Sequence, residues 1–110
     1  MAQQKVPIKH YQRIAKLFPG AISALENLGS AVRDAGPLEG KTVELIQLAG
    51  AAAVQSEGAV HSHVRRAIQE GATPLEVYHT LLLLISTIGF PRTSAAMRWA
   101  EDILNKGKKK

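Results

Sequence analysis

Apolar side chains recur every third or fourth residue along almost the whole chain, a spacing typical of amphipathic α-helices. The sequence shows no convincing alternation of apolar and polar residues, which would indicate strands, and no internal repeat. Breaks at Pro19-Gly20, Gly36-Pro37 and Gly89-Phe90-Pro91 divide the pattern into short segments. The chain of 110 residues is therefore predicted to form one all-α domain of about six short helices.

The third and fourth predicted helices are marked by a small-residue stretch and by an apolar stripe. The third covers residues 42–54 and ends in the small-residue stretch 49–53, where we expect Gly50 to allow another helix to approach closely. The fourth covers residues 57–70, and Gly71 follows it as a natural terminator. Its apolar stripe at helical spacing predicts a buried face, which comprises Val60, His63, Val64, Ala67 and Ile68.

The fifth predicted helix has the strongest start signal. Thr73 is its predicted N-cap, Pro74 its first residue, and Glu76 completes a capping box. Its body, residues 78–88, is apolar nearly all round, as in a helix that is buried on several sides. A monomer of this size has few ways to cover such a helix, so the sequence predicts a homo-oligomer.

Composition excludes several classes of function. The chain has no cysteine, which excludes disulfides, thiolate catalysis and thiolate metal ligands. The first nine residues lack the apolar segment of a signal peptide. The longest apolar run, Leu81–Ile85, is too short to span a membrane, so we expect a cytoplasmic protein without a membrane partner.

The net charge of +5 is concentrated at the C-terminus. It reflects 14 basic against 9 acidic side chains, and four of the basic ones are lysines within residues 106–110. Without these four lysines the balance is 10 against 9, a net charge of +1. We therefore predict a solvated, disordered basic tail at residues 106–110 rather than a nucleic-acid-binding face, and no specific nucleic-acid partner.

The segment Ser56–Ala67, followed by Glu70–Val77, resembles the core of the carboxymuconolactone decarboxylase family, in which a histidine-bearing helix precedes a Gly-Ala-Thr-Pro turn and a capped helix. Gly36–Ile46 is similar to the family's entry into its third helix, and Ile88–Pro91 resembles a C-terminal feature of small members. The resemblance covers roughly residues 19–104. It implies the family's helical fold, assembled as a homo-trimer or homo-hexamer.

The family has two known chemistries. One branch decarboxylates a carboxymuconolactone, and the other, similar to alkyl hydroperoxidase D, uses a Cys-x-x-Cys pair, a histidine and an upstream glutamate. On this sequence the cysteine positions fall on Ser56 and Ala59, the histidine on His63 and the glutamate on Glu44. Neither serine nor alanine forms a disulfide or a peroxidatic thiolate, so thiol peroxidase activity is not expected, whatever label the family carries.

The resemblance makes His63 the predicted catalytic acid or base and Glu44 the carboxylate that orients it. Arg65, Arg66 and Arg92 are predicted anchors for a substrate carboxylate; Ser56 is a further predicted substrate-binding residue. The alternatives are a core histidine with hydrogen-bonded ring nitrogens and a solvent-facing Glu44 paired with Lys41.

Helix geometry leaves the contact between Glu44 and His63 open. The rise from Glu44 to Val54 is about 15 Å and that from Glu57 to His63 about 9 Å. In a simple antiparallel arrangement Glu44 and His63 would therefore miss each other by roughly one turn. Contact is expected to need a skewed crossing, a bridging water or a neighbouring subunit.

Glu57 and His61, four residues apart, are weak metal-ligand candidates, because a site usually needs a third ligand and an exposed pair is the commoner outcome. No cofactor is predicted. Two functions stay open. The first is a small-molecule enzyme that transfers protons by acid–base chemistry without cysteine, on an organic acid or lactone. The second is a non-catalytic homo-oligomeric binding or scaffold protein.

Overall fold

The structure, a computed structural model, describes residues 5–105, and the predicted basic tail at residues 106–110 lies outside that range. The described residues fall into two compact units, with the boundary between Glu39 and Gly40. Within them all regular structure is helical, which confirms the predicted all-α fold class. The helices are α1 (Lys5–Leu17), α2 (Pro19–Asp34), α3 (Lys41–Ala53), α4 (Glu57–Gln69), α5 (Pro74–Leu82), α6 (Ile85–Ile88) and α7 (Phe90–Leu104).

The ends of α3, α4 and α5 follow from local chemistry. The helices α3 and α4 begin and end within one residue of their predicted limits. Gly71 ends α4 with a φ of 99°, a left-handed conformation that glycine adopts without steric cost. At the start of α5, the Glu76 amide donates to Thr73 Oγ1 at 3.1 Å and the Thr73 amide donates to Glu76 Oε1 at 2.9 Å. The predicted capping box is therefore present in both directions.

The predicted fifth helix is not continuous. After α5 the chain makes a turn at Leu83 and Leu84, and the single helical turn α6 follows. The Leu84 amide donates to the Leu81 carbonyl at 3.0 Å, a three-residue step that tightens the backbone and ends the α-helical ladder. Leu81 is fully buried, whereas Leu82 and Leu83 are 50% and 63% exposed. The described residues thus cover only one side of this apolar segment.

The core of the second unit is built from small and medium-sized side chains on α3, α4, α5 and α7. Small residues at contact positions let helices approach closely. Its fully buried members are Leu48, Ala52, Val60, Val64, Ala67, Val77, Leu81, Ala96 and Ala100.

Two expectations about buried positions differ from the structure. A Cβ at Gly50 would meet no atom of another element within 4 Å among the described residues, so close packing between these residues does not explain that glycine. Ile68 is 38% exposed, because it lies at the edge of the α4 stripe while Val60, Val64 and Ala67 fill the centre.

The first unit consists of α1 and α2, which pack against each other. The Tyr11 hydroxyl donates to the Glu26 carboxylate and links the two helices. No residue of α2 is buried, and Leu25, Leu28 and Val32 are each more than half exposed. None of the helices within residues 5–105 combines the length and apolarity needed to cross a membrane.

Candidate functional site

The side chains of Glu44 and His63 form a direct hydrogen bond within one chain. Glu44 Oε1 lies 2.9 Å from Nδ1 of His63. The Glu44 side chain is 6% exposed and that of His63 is 17% exposed. The one-turn offset of a simple antiparallel arrangement is therefore not present, and contact needs neither a neighbouring subunit nor a bridging water.

The turn between α3 and α4 explains why the two residues meet. The Ser56 amide donates to the Ala51 carbonyl at 3.0 Å, so α4 begins beside Ala51 instead of beyond Val54. Seven residues then separate Glu44 from Ala51, a rise of about 10 Å, which matches the rise of about 9 Å from Glu57 to His63. Gln55, with a φ of 59°, adopts the left-handed conformation that makes this reversal.

The hydrogen bond assigns distinct roles to the two ring nitrogens of His63. An ionised carboxylate can only accept hydrogen bonds. With Glu44 ionised, Nδ1 of His63 carries the proton and donates a hydrogen bond to Oε1, and Nε2 of the neutral ring is the basic nitrogen. The side chain of His63 is 17% exposed and is therefore partly accessible to solvent. The pair is therefore arranged as an oriented base of the kind used in proton transfer.

Ser56 has a structural partner. It is the N-cap of α4, and its Oγ accepts a hydrogen bond from the Ala59 amide at 3.4 Å. An N-cap serine satisfies one of the free amides at a helix start. The residue predicted to bind substrate is therefore already engaged in holding the start of the helix that carries His63.

The predicted arginine anchors lie in different places. Arg65 follows His63 by two residues on α4, about 200° around the helix, whereas Arg66 follows by three and shares its side. Arg65 is half-buried, and its Nη1 has no hydrogen-bond partner among the described residues. Burial, together with the adjacent Arg66, lowers the pKa of Arg65 from its ordinary value. Arg66 and Arg92 are exposed.

Lys41 does not pair with Glu44. Its ammonium group instead lies 2.9 Å from Glu76 Oε2 and 3.1 Å from Oε1, which joins the start of α3 to the start of α5. The hydrogen bond from Lys41, followed by that from the Thr73 amide, lowers the pKa of the Glu76 carboxyl. Glu44 is instead buried, at 5% exposure, and faces α4.

A second cluster joins α4 to α7. His61 Nε2 lies 2.9 Å from Asp102 Oδ2, and one ligand atom from each of Glu57, His61 and Asp102 lies within 4.8 Å of the other two. The side chain of His61 is 14% exposed and that of Asp102 is 57% exposed. A carboxylate oxygen of Asp102, on α7, thus lies beside the weak Glu57–His61 pair predicted from helix spacing.

Three polar side chains with notable contacts or burial were not predicted as site residues from the sequence. Asp102 lies 41 residues from His61, and no local spacing links them. Gln47, one turn after Glu44 on α3, has a buried Oε1 without a hydrogen-bond partner among the described residues. The Tyr78 hydroxyl donates to Glu101 at 3.2 Å, and burial, followed by this carboxylate, raises the pKa of Tyr78.

A shallow apolar groove lies along α5 and is separate from the Glu44–His63 pair. It contains His79 but neither of those two residues. The side chains that line it are Thr73, Leu75, Glu76, Tyr78, His79, Leu82 and Met97.

Comparisons with known proteins identify the family and a similar fold. The sequence model of the carboxymuconolactone decarboxylase family matches residues 19–102, and the chain therefore belongs to that family. The fold is similar to the crystal structure of apo-lpg0406, a carboxymuconolactone decarboxylase family protein from Legionella pneumophila, with a TM-score of 0.76 and 26% sequence identity. The similarity covers 87% of this chain and 88% of that one. Comparison with curated protein sequences gives no significant match.

Proposed function

We propose that this cysteine-less member of the carboxymuconolactone decarboxylase family is a small-molecule enzyme that moves a proton by acid–base chemistry, with an organic acid or lactone as substrate. The observation that carries the proposal is the 2.9 Å contact between buried Glu44 and His63. A buried carboxylate aimed at one imidazole nitrogen holds the ring in one tautomer and orientation, which prepares the other nitrogen for proton transfer.

Two proton-transfer steps suit this pair. As a base, His63 Nε2 removes a proton from a carbon next to a carbonyl group, and the electron pair of the C–H bond moves into an enolate. As an acid in a decarboxylation, the C–C bond breaks, carbon dioxide leaves, and the imidazolium gives its proton to the carbon that retains the electron pair. Glu44 stabilises the imidazolium in both directions.

The substrate would be an anion, because two arginines follow His63 closely on α4. Arg66 lies on the same side of α4 as His63 and is free to meet a carboxylate with its planar pair of N–H donors. Arg65 faces another direction, and Arg92 at the start of α7 is an exposed second candidate. Arg66 is therefore the preferred substrate anchor.

Solvent-hydrogen exchange tests the proposal across a range of candidate substrates. A panel of small carboxylic acids and carboxylated γ-lactones is incubated with the full chain in D2O, and deuterium incorporation and decarboxylation are followed by proton NMR. We expect His63→Gln to abolish turnover and Glu44→Gln to reduce kcat by about 10²–10⁴-fold, the usual contribution of acid–base catalysis. His79→Gln, at an exposed histidine on α5, is the matched control and should retain full activity.

The outcomes separate the enzyme from a binding protein. Arg66→Gln should raise KM more than it lowers kcat, because it removes binding rather than chemistry. Turnover that survives both His63→Gln and Glu44→Gln, or no exchange with any member of the panel, would contradict the proposed mechanism.

The second proposed function is a non-catalytic homo-oligomeric binding or scaffold protein. It is favoured by the exposed apolar side chains that the described residues leave uncovered: Leu82 (50%), Leu83 (63%) and Phe90 (64%). A second copy of the chain is the proposed partner, in a homo-trimer or homo-hexamer. An enzyme could form the same homo-oligomer. The presence or absence of catalytic activity therefore distinguishes the two functions, whereas the oligomeric state does not.

The cellular setting is also a proposal. We propose a cytoplasmic protein whose partners are a small-molecule ligand and other copies of itself, with neither nucleic acid nor membrane. The absence of cysteine fits a reducing compartment, where disulfides are rarely used.

A further inference from the structure

We infer that Glu57, His61 and Asp102 form a binding site for one divalent transition-metal ion between the start of α4 and the end of α7. The site uses none of the residues of the proposed proton-transfer pair. The proposed metal site can therefore be tested independently of the proposed function.

Two independent arrangements bring the three ligands together. Glu57 and His61 are four residues apart on α4, so their side chains project from the same face of the helix. Asp102 comes from α7, and the packing of α7 on α4 places its Oδ2 2.9 Å from His61 Nε2. The helix spacing supplies two ligands and the tertiary fold supplies the third.

The separations suit a shared ion. Ligand atoms at about 2.0–2.1 Å from a tetrahedral zinc ion lie about 3.3 Å from each other. The three ligand atoms here lie within 4.8 Å of one another, so small side-chain rotations would bring all of them to one centre. Carboxylates and imidazole at these distances are the donors that zinc and its first-row neighbours accept.

The local charges favour a cation. Two carboxylates converge on one imidazole, and each repels the other unless positive charge lies between them. Asp102 also sits in the last turn of α7, where the helix end carries partial negative charge and a carboxylate is unfavourable. A divalent ion between the two helices would neutralise both effects.

The ligand set also limits the kind of ion. A neutral imidazole nitrogen is a poor ligand for Mg²⁺ and Ca²⁺, which prefer oxygen donors. One histidine and two carboxylates favour Zn²⁺, Co²⁺ or Mn²⁺. Three protein ligands leave at least one coordination position for water or for a small anion.

Calorimetric titration of Zn²⁺ into the full-length chain, with any affinity tag removed, tests the site. We expect saturable binding of one ion per chain and a rise in thermal midpoint with zinc concentration, since the ion binds the folded state. Asp102→Asn and His61→Gln should each weaken binding by about tenfold or more, because even the loss of an outer-shell partner costs about 10–100-fold. Glu57→Gln should also weaken zinc binding, and the position is exposed, so the substitution disturbs no buried contact.

Matched controls assign the ion to this cluster. His79→Gln, at an exposed histidine, and His63→Gln, in the proton-transfer pair, should leave zinc affinity unchanged. Co²⁺ in the parent chain should give a visible absorption band that is lost in His61→Gln. The inference is overturned if zinc does not bind saturably, if Mg²⁺ binds as tightly as Zn²⁺, or if affinity depends on His63 and not on His61.

Discussion

Glu44 Oε1 lies 2.9 Å from Nδ1 of His63, and the carboxylate at one end of this bond is almost entirely shielded from water. A buried carboxylate is costly without a partner, because burial removes its hydration. The imidazole satisfies part of that requirement, and Glu44 makes at least one further interaction. The two side chains are therefore expected to act as one unit in both stability and chemistry.

A double-mutant cycle measures the coupling between the two residues. Glu44→Ala and His63→Ala should each destabilise the fold, because each leaves a partly buried polar partner unsatisfied. Their effects should be non-additive, with a coupling free energy of about 0.5–3 kcal/mol, as measured by urea unfolding. The control cycle pairs Glu44→Ala with His79→Ala, at an exposed position on α5, and should be additive within about 0.5 kcal/mol. Additivity in the first cycle would show that the hydrogen bond is not formed in solution.

The same pair shows what sequence reasoning achieves and where it stops. Helix α5 begins where Thr73, Pro74 and Glu76 predict, because capping is decided by neighbours within four residues. Helix rise in a simple antiparallel pair would separate Glu44 and His63 by about one turn. The hydrogen bond from the Ser56 amide to the Ala51 carbonyl, which removes this offset, has no signature in the amino-acid pattern. Local chemistry therefore locates helix ends, whereas the turn decides which residues face each other.

Longer-range features escape the sequence for a related reason. The pairing of His61 with Asp102 depends on how α7 lies against α4, and 41 residues separate the two side chains. The break between α5 and α6 falls within an apolar run that contains neither glycine nor proline. In both cases tertiary packing selects the outcome, and the local pattern is compatible with several.

Gln55 offers a test of the turn that sets the Glu44–His63 register. Its φ of 59° costs a residue with a side chain roughly 1–2 kcal/mol, and glycine avoids this cost but gains freedom in the unfolded chain. We therefore expect Gln55→Gly to stabilise the protein by about 0.5–1 kcal/mol in urea unfolding. Gln69→Gly, at the last residue of α4, is the matched control and should destabilise by about 1 kcal/mol. A destabilising Gln55→Gly would mean that the turn is not left-handed in solution.

The ion pair between Lys41 and Glu76 predicts a pH dependence of stability. The hydrogen bond from Lys41 lowers the pKa of Glu76 in the folded chain, so the carboxylate stabilises the fold at pH values above the ordinary glutamate pKa. This contribution is lost as pH falls through the lowered folded pKa. Denaturation midpoints measured from pH 7 down to pH 2 should therefore fall less steeply in Glu76→Gln than in the parent. Glu70→Gln, another exposed glutamate, is the control, and parallel curves for parent and Glu76→Gln would contradict the linkage.

The exposed apolar surface of α5, α6 and the turn between them predicts that the protein forms a homo-oligomer. Leu82, Leu83 and Ile85 are 50%, 63% and 38% exposed, and neighbouring apolar side chains left exposed together mark an interaction surface. Sedimentation at micromolar concentration should therefore show a species of at least three chains, with an unfolding midpoint that rises with protein concentration.

Leu83→Lys should shift the population towards the monomer, because assembly would bury an unpaired ammonium group. Val54→Lys changes a side chain that is even more exposed, at 75%, but lies in the α3–α4 turn, and should leave assembly intact. A monomeric parent chain would contradict the prediction outright. Equal dissociation by both lysine variants would place the interface outside α5 and α6, because Val54 belongs to neither helix.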